Sequence, residues 1–302
     1  MEHQPVLLKE VLKYLDPQSG ENFIDCTFGF GGHALAILKK VKPTGKVLGI
    51  DSDKKALAQT KTKNKNLILT QGNFADLKRI VEEQKFQPVN GILFDLGISS
   101  WQIDKSQKGF SFQKDEPLDM RFDQGKNDLT AEQIVNYWEE SELEKIFREY
   151  GEERFSKKIA RNICLVRQNR NIKTTSHLVE VIKQAIPGKF QHGRTPHSRT
   201  SSLRGRHFAT RIFQALRIAV NDELNNLELA LNQSLGILEA NGRLAVISFH
   251  SLEDRIVKNS FREQAKENNL KILTKKPVQP TEQEIEYNKR SRSAKLRVVV
   301  KI

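Results

Sequence analysis

The sequence predicts an α/β fold with a parallel sheet, interrupted after its fourth strand by an all-helical insertion. Three observations carry that expectation. Short apolar runs alternate with helix-like stretches over the first 100 residues, the spacing of βαβ units. Segment 130–186 then has helical periodicity and no strand-like run. Strand character returns at 242–249 and closes the chain at 295–302.

Taken in order, residues 22–28 read as a first strand, followed by Gly29-Phe30-Gly31-Gly32-His33 and a helix to about Val41. A second strand, 45–50, ends in Asp51-Ser52-Asp53, with a helix over 54–64. Residues 67–70 form a third strand, 76–83 a helix, and 91–94 a fourth strand ending at Asp95. Thr130 and Gln133 make a capping box at the first helix of the insertion. Segment 187–205 is poor in large apolar residues and rich in Arg, Ser, His and Gly, the composition of an exposed loop. Phe213, Leu216, Val220, Leu224, Leu227, Leu231, Leu235 and Leu238 step by threes and fours, predicting one long helix ended by Gly242. Ser251 with Asp254 opens another helix, and 270–274 pairs with 295–302 as closing strands. The expected division is 1–108 and 207–302 as the α/β body, with 109–206 as the insertion.

At 302 residues the chain is long enough to bury its own core without disulfides or metals. Its two cysteines, Cys26 and Cys164, are too few for a disulfide framework or a four-ligand zinc site. No metal is therefore expected, and a reducing, cytoplasmic setting is the default. No apolar run is long enough to span a bilayer and the N-terminus lacks a signal-peptide pattern, so no membrane partner is expected.

The net charge of +13 is localised. Residues 154–217 hold 15 basic residues and one acid, Glu180, leaving 35 basic and 36 acidic residues elsewhere. A second basic run, Lys289, Arg290, Arg292, Lys295, Arg297 and Lys301, follows the last acid, Glu286. Charge runs are often only solvated faces. Clustering of this density is the footprint of nucleic-acid binding. Lys157, Lys158, Arg161, Arg194, Arg199, Arg204, Arg206 and Arg211 are the candidate phosphate contacts.

Gly29-x-Gly31-x-x-Ala34 lies between a strand and a helix, with an acid, Asp51, ending the next strand. That pattern fits a Rossmann-like cofactor site, in which glycines admit a tight turn and the acid accepts from ribose hydroxyls. It serves NAD and S-adenosylmethionine equally, and glycines needed only for a turn would look the same. Asp51 lies nearer the strand end than Asp53 and is the preferred ribose acid.

Longer motifs narrow the choice. His3-x-Pro5-Val-Leu-Leu-x-Glu10-Val, Asp25-x-Thr-x-Gly-x-Gly-Gly-His33 and Gly49-Ile-Asp51-x-Asp53 resemble the MraW/RsmH family. So do Asp95-Leu-Gly-Ile-Ser-Ser100, Gly109-Phe-Ser-Phe112, Pro117-Leu-Asp-Met-Arg121-x-Asp123 and Tyr150-Gly-Glu-Glu153. Phe213-Gln-Ala-Leu-Arg217, Ser248-Phe-His-Ser-Leu-Glu-Asp-Arg255 and Arg290-Ser-Arg-Ser-Ala-Lys-Leu-Arg297 extend the resemblance to residue 297. It implies a Rossmann-like S-adenosylmethionine-dependent methyltransferase that modifies the N4 amine of a cytosine in the decoding centre (P-site region) of 16S rRNA. The implied partner is that rRNA within the small ribosomal subunit or its late precursor.

Carried over by position, the resemblance implies that Gly31, Gly32 and His33 contact the methionine part of the cofactor. Asp51 would hold the ribose, Phe74 would flank the adenine, and Asp95 and Gln102 would complete the pocket. Read without the family, Phe74 is equally a core aromatic and His33 a helix-start residue. The chain departs from the usual pattern at Ala34 for serine, at Phe208 for the proline of His-Pro-Ala-Thr-Arg, and at Lys289 for a proline. The Asn/Asp-Pro-Pro-aromatic motif of many amino methyltransferases is replaced by Asp95-Leu-Gly-Ile. Ser99, Asp119 and His250 are candidate acceptors for the amine hydrogens, although an unpaired histidine such as His250 more often serves to hold a neighbouring loop. A NAD-dependent dehydrogenase, a non-enzymatic RNA-binding assembly factor, and a DNA cytosine or tRNA methyltransferase are the competing readings.

Overall fold

A computed structural model describes residues 4–58, 60, 64–98, 102–103, 106–125, 127–191 and 207–302. The chain divides into two compact units, 1–97 with 224–302, and 98–223.

The first unit is built on a seven-stranded sheet in the order β3-β2-β1-β4-β5-β7-β6. Its strands are β1 (Phe23–Asp25), β2 (Val47–Asp51), β3 (Leu67–Gln71), β4 (Val89–Asp95), β5 (Leu238–Ser248), β6 (Leu270–Ile272) and β7 (Lys295–Lys301). β1 to β5 are mutually parallel, and β7 runs antiparallel between β5 and β6. The helices of this unit are α1 (Leu8–Leu15), α2 (Gly32–Val41), α3 (Lys54–Ala58) and α4 (Leu77–Glu83) before the insertion.

Alternation along each strand sends side chains to two separate cores. Ile24, Leu48, Ile50, Ile92, Phe94, Leu244 and Val246 face α4 and the helices that follow the insertion. Phe23, Val47, Leu93, Ala245, Ile247 and Val298 face α1 and α2 through Val11, Leu15, Ile37 and Val41. Strands covered on both faces read as near-continuous apolar runs, which is why 47–50 and 91–94 carry so few polar residues.

The second unit holds α5 (Ala131–Tyr137), α6 (Glu140–Glu149), α7 (Ser156–Arg167), α8 (Thr175–Ala185) and α9 (Thr210–Asn221). Phe147, Ile159, Ile163, Leu178, Ile182, Ile212 and Leu216 are fully buried in its own core. Thr130 caps α5 through the box read from the sequence, its side chain accepting from the Gln133 N–H. Segment 130–186 contains helices and no strand among the described residues; only an isolated bridge pairs Pro117 with Thr174.

Two features depart from expectation. The long helix over 213–238 is two helices, α9 and α10 (Glu223–Ile237), separated by Asp222 at φ 49°. The apolar stripe continues across this break but serves two cores. Phe213, Leu216 and Val220 join the helical unit, whereas Leu227 and Leu231 pack on the sheet. Arg217 grips Glu223 across the joint with Nε and Nη2 at 2.7 and 2.8 Å. The chain enters β5 directly at Leu238, four residues before Gly242. The unit boundaries consequently fall at 97/98 and 223/224 rather than at 108/109 and 206/207, because 207–221 is held by the helical core. α11 (Ser251–Lys266) and α12 (Glu282–Tyr287) complete the first unit. No helix among the described residues is long and apolar enough to cross a membrane.

The split stripe sets a test. Leu216→Ala and Leu231→Ala are each expected to cost about 2–5 kcal/mol, the range for a fully buried leucine. Hydrogen exchange should lose protection chiefly within 98–223 for the first and chiefly around β4 and β5 for the second.

Candidate active site

In an open α/β sheet the ligand crevice lies beyond the carboxyl ends of the strands, where the chain order reverses. Here the reversal falls between β1 and β4, which are neighbours although β2 and β3 intervene in sequence. Asp25, Asp51 and Asp95 stand at the carboxyl ends of β1, β2 and β4. Phe74 follows β3, and His250 and Glu253 follow β5.

The glycine loop is shaped by close contacts. Gly31 has φ 78° and caps α2, and a Cβ there would lie 2.6 Å from the Phe28 ring. A Cβ on Gly32 would lie 2.6 Å from Pro5 Cγ. Both positions therefore exclude a side chain, one by conformation and crowding, the other by the N-terminal segment lying over it. Asp51 fixes the loop from below, taking the Gly29 N–H on Oδ2 at 2.7 Å and the Asp53 N–H on Oδ1 at 2.8 Å. A carboxylate offers about four acceptor sites, so capacity for a ribose hydroxyl remains.

His33 is buried, with Nε2 donating to the Val6 carbonyl at 2.9 Å. Its Nδ1 faces Asp95 Oδ2 at 3.5 Å. The Asp95 N–H donates to Thr27 Oγ1, and its Oδ1 is buried without a hydrogen-bond partner among the described residues. Phe74 sits edge-on to Phe94, 5.7 Å between centroids, and is only partly buried. It packs on the core with one edge and keeps some exposure, so the two readings of this aromatic are compatible.

The electrostatics of the crevice are one-sided. Burial pushes the Asp25 carboxyl up to about 7, and the neighbouring Asp51 charge adds to it. Burial likewise raises Asp51 to about 6. Asp95 is driven well above the usual carboxylate range by burial, then by the charges of Asp25 and Glu253. Among the described residues no Lys or Arg pairs with any of the three, and His33 alone approaches. Carboxyls held this close to protonation, with no basic partner, offer a pyrophosphate nothing to pair with, whereas a bound cation would favour their charged form. The dehydrogenase reading therefore fits poorly, and a sulfonium cofactor fits well. Asp25 was visible in the sequence only as a motif letter. Its position at a strand end, like those of Asp51 and Asp95, was the available signal.

His250 is the N-cap of α11, in place of the expected Ser251. Its Nδ1 accepts the Glu253 N–H at 3.4 Å, while Glu253 Oε2 accepts the His250 N–H at 3.2 Å and the Phe249 N–H at 2.8 Å. His250 Nε2 lies 3.1 Å from Glu253 Oε1.

Gln102 and Asp119 belong to the second unit. Gln102 is buried and its carbonyl accepts from Ser106 Oγ. Asp119 accepts from Arg121 Nε and Nη2 at 2.9 and 2.8 Å, and from Gln124 Nε2 at 3.0 Å. Burial alone would raise this carboxyl, but the Arg121 and Gln124 hydrogen bonds outweigh it and hold it below its usual range. Lys157, Lys158 and Arg161 are exposed on α7. Arg211 instead donates to the Glu152 carbonyl at 2.9 Å and lies 3.8 Å from Glu153. Phe208, at the usual proline position, lies tilted against His207 with ring centroids 4.1 Å apart. Ser99, Arg194, Arg199, Arg204 and Arg206 lie outside the described residues.

The strand order with reversed β7, together with an acid-lined crevice where a dinucleotide site would cradle phosphate, defines the class: a Rossmann-like methyltransferase. The cofactor of this class is S-adenosylmethionine, and the carboxylates, the side-chain-free glycine loop and the orphaned Asp95 Oδ1 suit a ligand of that charge. Comparison with known proteins gives the family. The MraW methylase family model matches residues 1–302, and the chain belongs to that family. Relatives called ribosomal RNA small subunit methyltransferase H are 46% identical in Clostridium botulinum strain Kyoto, with 99% of both chains covered, and 45% identical in Halothermothrix orenii, with 100% and 99% covered. A putative methyltransferase from Streptococcus mutans, solved in complex with SAH, aligns over 100% of both chains at 13% identity and a TM-score of 0.43.

The raised Asp25 carboxyl predicts a pH dependence. Its ordinary value is 3.8 and its folded value about 7. The native state therefore holds the extra proton, and the stabilisation is complete below about pH 4 and lost as pH rises through 7. The slope contributed is up to about 1.4 kcal/mol per pH unit. Melting of cofactor-free wild type against Asp25→Asn, from pH 4.5 to 8, should show the variant gaining on wild type as pH rises. A constant difference would refute the protonation assignment.

Proposed function

We propose that this enzyme uses S-adenosylmethionine to methylate 16S rRNA of the small ribosomal subunit, at the N4 amine of a cytosine in the decoding centre. The acid-lined crevice carries the reading. It favours a cationic methyl donor, and the names of the relatives point to small-subunit rRNA as the acceptor. The finer choice of base and atom comes from the family resemblance of the motifs. An rRNA substrate also fits a cytoplasmic enzyme acting on the small subunit or its late precursor.

When bound, S-adenosylmethionine supplies an electrophilic methyl group on a sulfonium. In our reading Gly31, Gly32 and His33 bind its methionine part, Asp51 its ribose and Phe74 its adenine, with Asp95 and Gln102 completing the pocket. Fixing the donor in one orientation supplies much of the acceleration of an in-line displacement. The cytosine amine is a weak nucleophile, so acceptors on its hydrogens would assist. Of the three candidates, Asp119 is a strongly held carboxylate of low basicity. His250 in its neutral form has Nδ1 committed to the α11 cap, leaving Nε2 to carry the hydrogen. Both geometries favour binding or positioning over proton abstraction, and Ser99 stays in the set.

The helical unit supplies the RNA grip in this reading. Lys157, Lys158 and Arg161 share the solvent side of α7, and an open depression nearby in the chain is lined by Arg170, Lys173 and His177. Together with Arg194, Arg199, Arg204, Arg206 and Arg211 these would contact phosphates, giving salt-sensitive binding with little base information. The target base must be unpaired or flipped out.

Labelled methyl transfer to unmethylated small-subunit particles, followed by nucleoside analysis, tests the reading. N4-methylcytidine in 16S rRNA is expected, whereas label in tRNA or DNA, or none, would overturn it. Lys157→Glu with Lys158→Glu and Arg161→Glu should weaken RNA binding at least tenfold and leave cofactor affinity within about twofold. In single-turnover assays, normal rates in both Asp119→Ala and His250→Ala would remove those two residues from the base-contacting set.

A further inference from the structure

We infer that the helical unit carries a base-stacking seat at the start of α7: an unpaired base of the bound RNA lies flat on the guanidinium of Arg154, which Phe155 and Phe190 support from beneath, while Lys157, Lys158 and Arg161 hold neighbouring phosphates. The inference deepens the rRNA reading above and rests on it.

The seat is one cation laid over two rings. Arg154 Cζ lies 3.8 Å from the centroid of the Phe190 ring and 4.6 Å from that of Phe155. At the shorter distance an edge-on guanidinium would drive its nitrogens into the ring, so the group lies over the ring face, the favourable cation–π geometry. The two rings are 5.4 Å apart between centroids and tilted by 46° to one another. Both are half-buried against the core of the helical unit.

Each ring is pinned through its own backbone. Phe155 opens α7, its N–H donating to Glu153 Oε1 at 2.9 Å and its carbonyl accepting from the Ile159 N–H at 3.0 Å. Phe190 sits in a short 3-10 turn, Gly188–Phe190, and its N–H donates to the Pro187 carbonyl at 2.9 Å. Gln191 beside it donates through Nε2 to the carbonyls of Lys183 and Ile186 at 3.0 and 2.8 Å, which ties that turn to the end of α8. The arginine is therefore ordered before a ligand arrives, and that lowers the entropy lost on binding.

An arginine shielding apolar rings is a common packing device. Here the charge is not consumed by the packing. Arg154 is exposed and pairs with no acid among the described residues. Its neighbour Glu153 is buried, with Oε1 on the Phe155 N–H and Oε2 3.8 Å from Arg211. Lys157, Lys158 and Arg161 follow, exposed on α7, and Glu180 is the one acid in the sequence from 154 to 217. A flat cation backed by aromatic rings and continued by further cations matches what a single-stranded RNA offers. Its bases stack on arginine planes and its phosphates track the charge. A folded protein partner would call for a broad apolar face, and the two rings here are already covered by the cation.

The test uses the full-length protein and a short single-stranded RNA carrying 2-aminopurine, whose fluorescence falls when the base stacks. Wild type is expected to quench the probe on binding. Arg154→Lys keeps the charge and removes the plane, so it should abolish the quench and weaken binding about fivefold or more, with the log–log salt slope unchanged. Lys157→Ala/Lys158→Ala should do the reverse, flattening the slope by about 1.4, as for two lost single-strand phosphate contacts, while the quench at saturation persists. Calorimetry should give S-adenosylmethionine affinity within about twofold of wild type for both variants, since neither touches the crevice in this reading. If wild type binds RNA without quenching the probe, or Arg154→Lys keeps wild-type affinity and quench, the arginine only packs the rings and the rRNA reading stands. If wild type shows no salt-dependent RNA binding at all, both fall. Should Arg154→Lys melt early, Arg154→Met keeps an apolar cover on the rings and carries the same comparison of the quench.

Discussion

Three carboxylates at the carboxyl ends of adjacent strands, Asp25 buried and Asp51 and Asp95 half-buried, are the constraint around which this molecule is organised. Asp25, Asp51 and Asp95 sit where parallel strands release the chain, and the sheet offers them no arginine or lysine among the described residues. Backbone N–H groups meet part of the need: Thr27 donates to Asp25, and Gly29 and Asp53 to Asp51. The remainder is met by raised proton affinity, since burial penalises the charged form. A site of this kind is costly when empty and is relieved by a cation. A sulfonium would supply the positive charge that these carboxyls lack, and a pyrophosphate would not.

The same constraint explains why the surroundings are so closely fitted. Asp51 can hold the Gly29 N–H only if the loop turns tightly, and the turn places Gly31 against Phe28 and Gly32 against Pro5. Pro5 belongs to the segment whose Val6 carbonyl orients His33, and His33 in turn faces Asp95. The chain of contacts runs from the acid of β2 through the glycine loop and the N-terminal strap to the acid of β4. Weakening any member loosens the others.

Much of the fold was readable from the sequence because the information there is local. Strand alternation, the Thr130 box and the strand-end acids each depend on a few neighbouring residues. The break at Asp222 was not, because helical periodicity records which face is apolar and carries no label for the core that face will meet. Leu216 and Leu231 fall on one stripe and join different cores. The helix opened by His250 shows the same limit. Serine is the commoner cap, and only the reciprocal bonds between His250 and Glu253 reveal that histidine takes the position. Of the site, the glycines and Asp51 were accessible as spacing. The unpaired oxygen of Asp95 and the raised carboxyl of Asp25 arise from burial, which spacing does not encode.

The division of charge completes the picture. The sheet unit gathers acids at the carboxyl ends of its strands, and Asp254 at the start of α11 pairs with Lys295 and Arg297 of β7. The core of the helical unit is lined by aliphatic and aromatic side chains, and Lys157, Lys158 and Arg161 lie on the solvent face of α7. On the reading proposed above, negative charge is kept where a small cation would be bound in a medium of low dielectric, and positive charge where a polyanion would meet water. The two fields act over different ranges. Salt screens the exposed cations within about 8–10 Å and leaves buried acids far less affected, so raising ionic strength should strip the RNA grip while leaving the cofactor crevice intact.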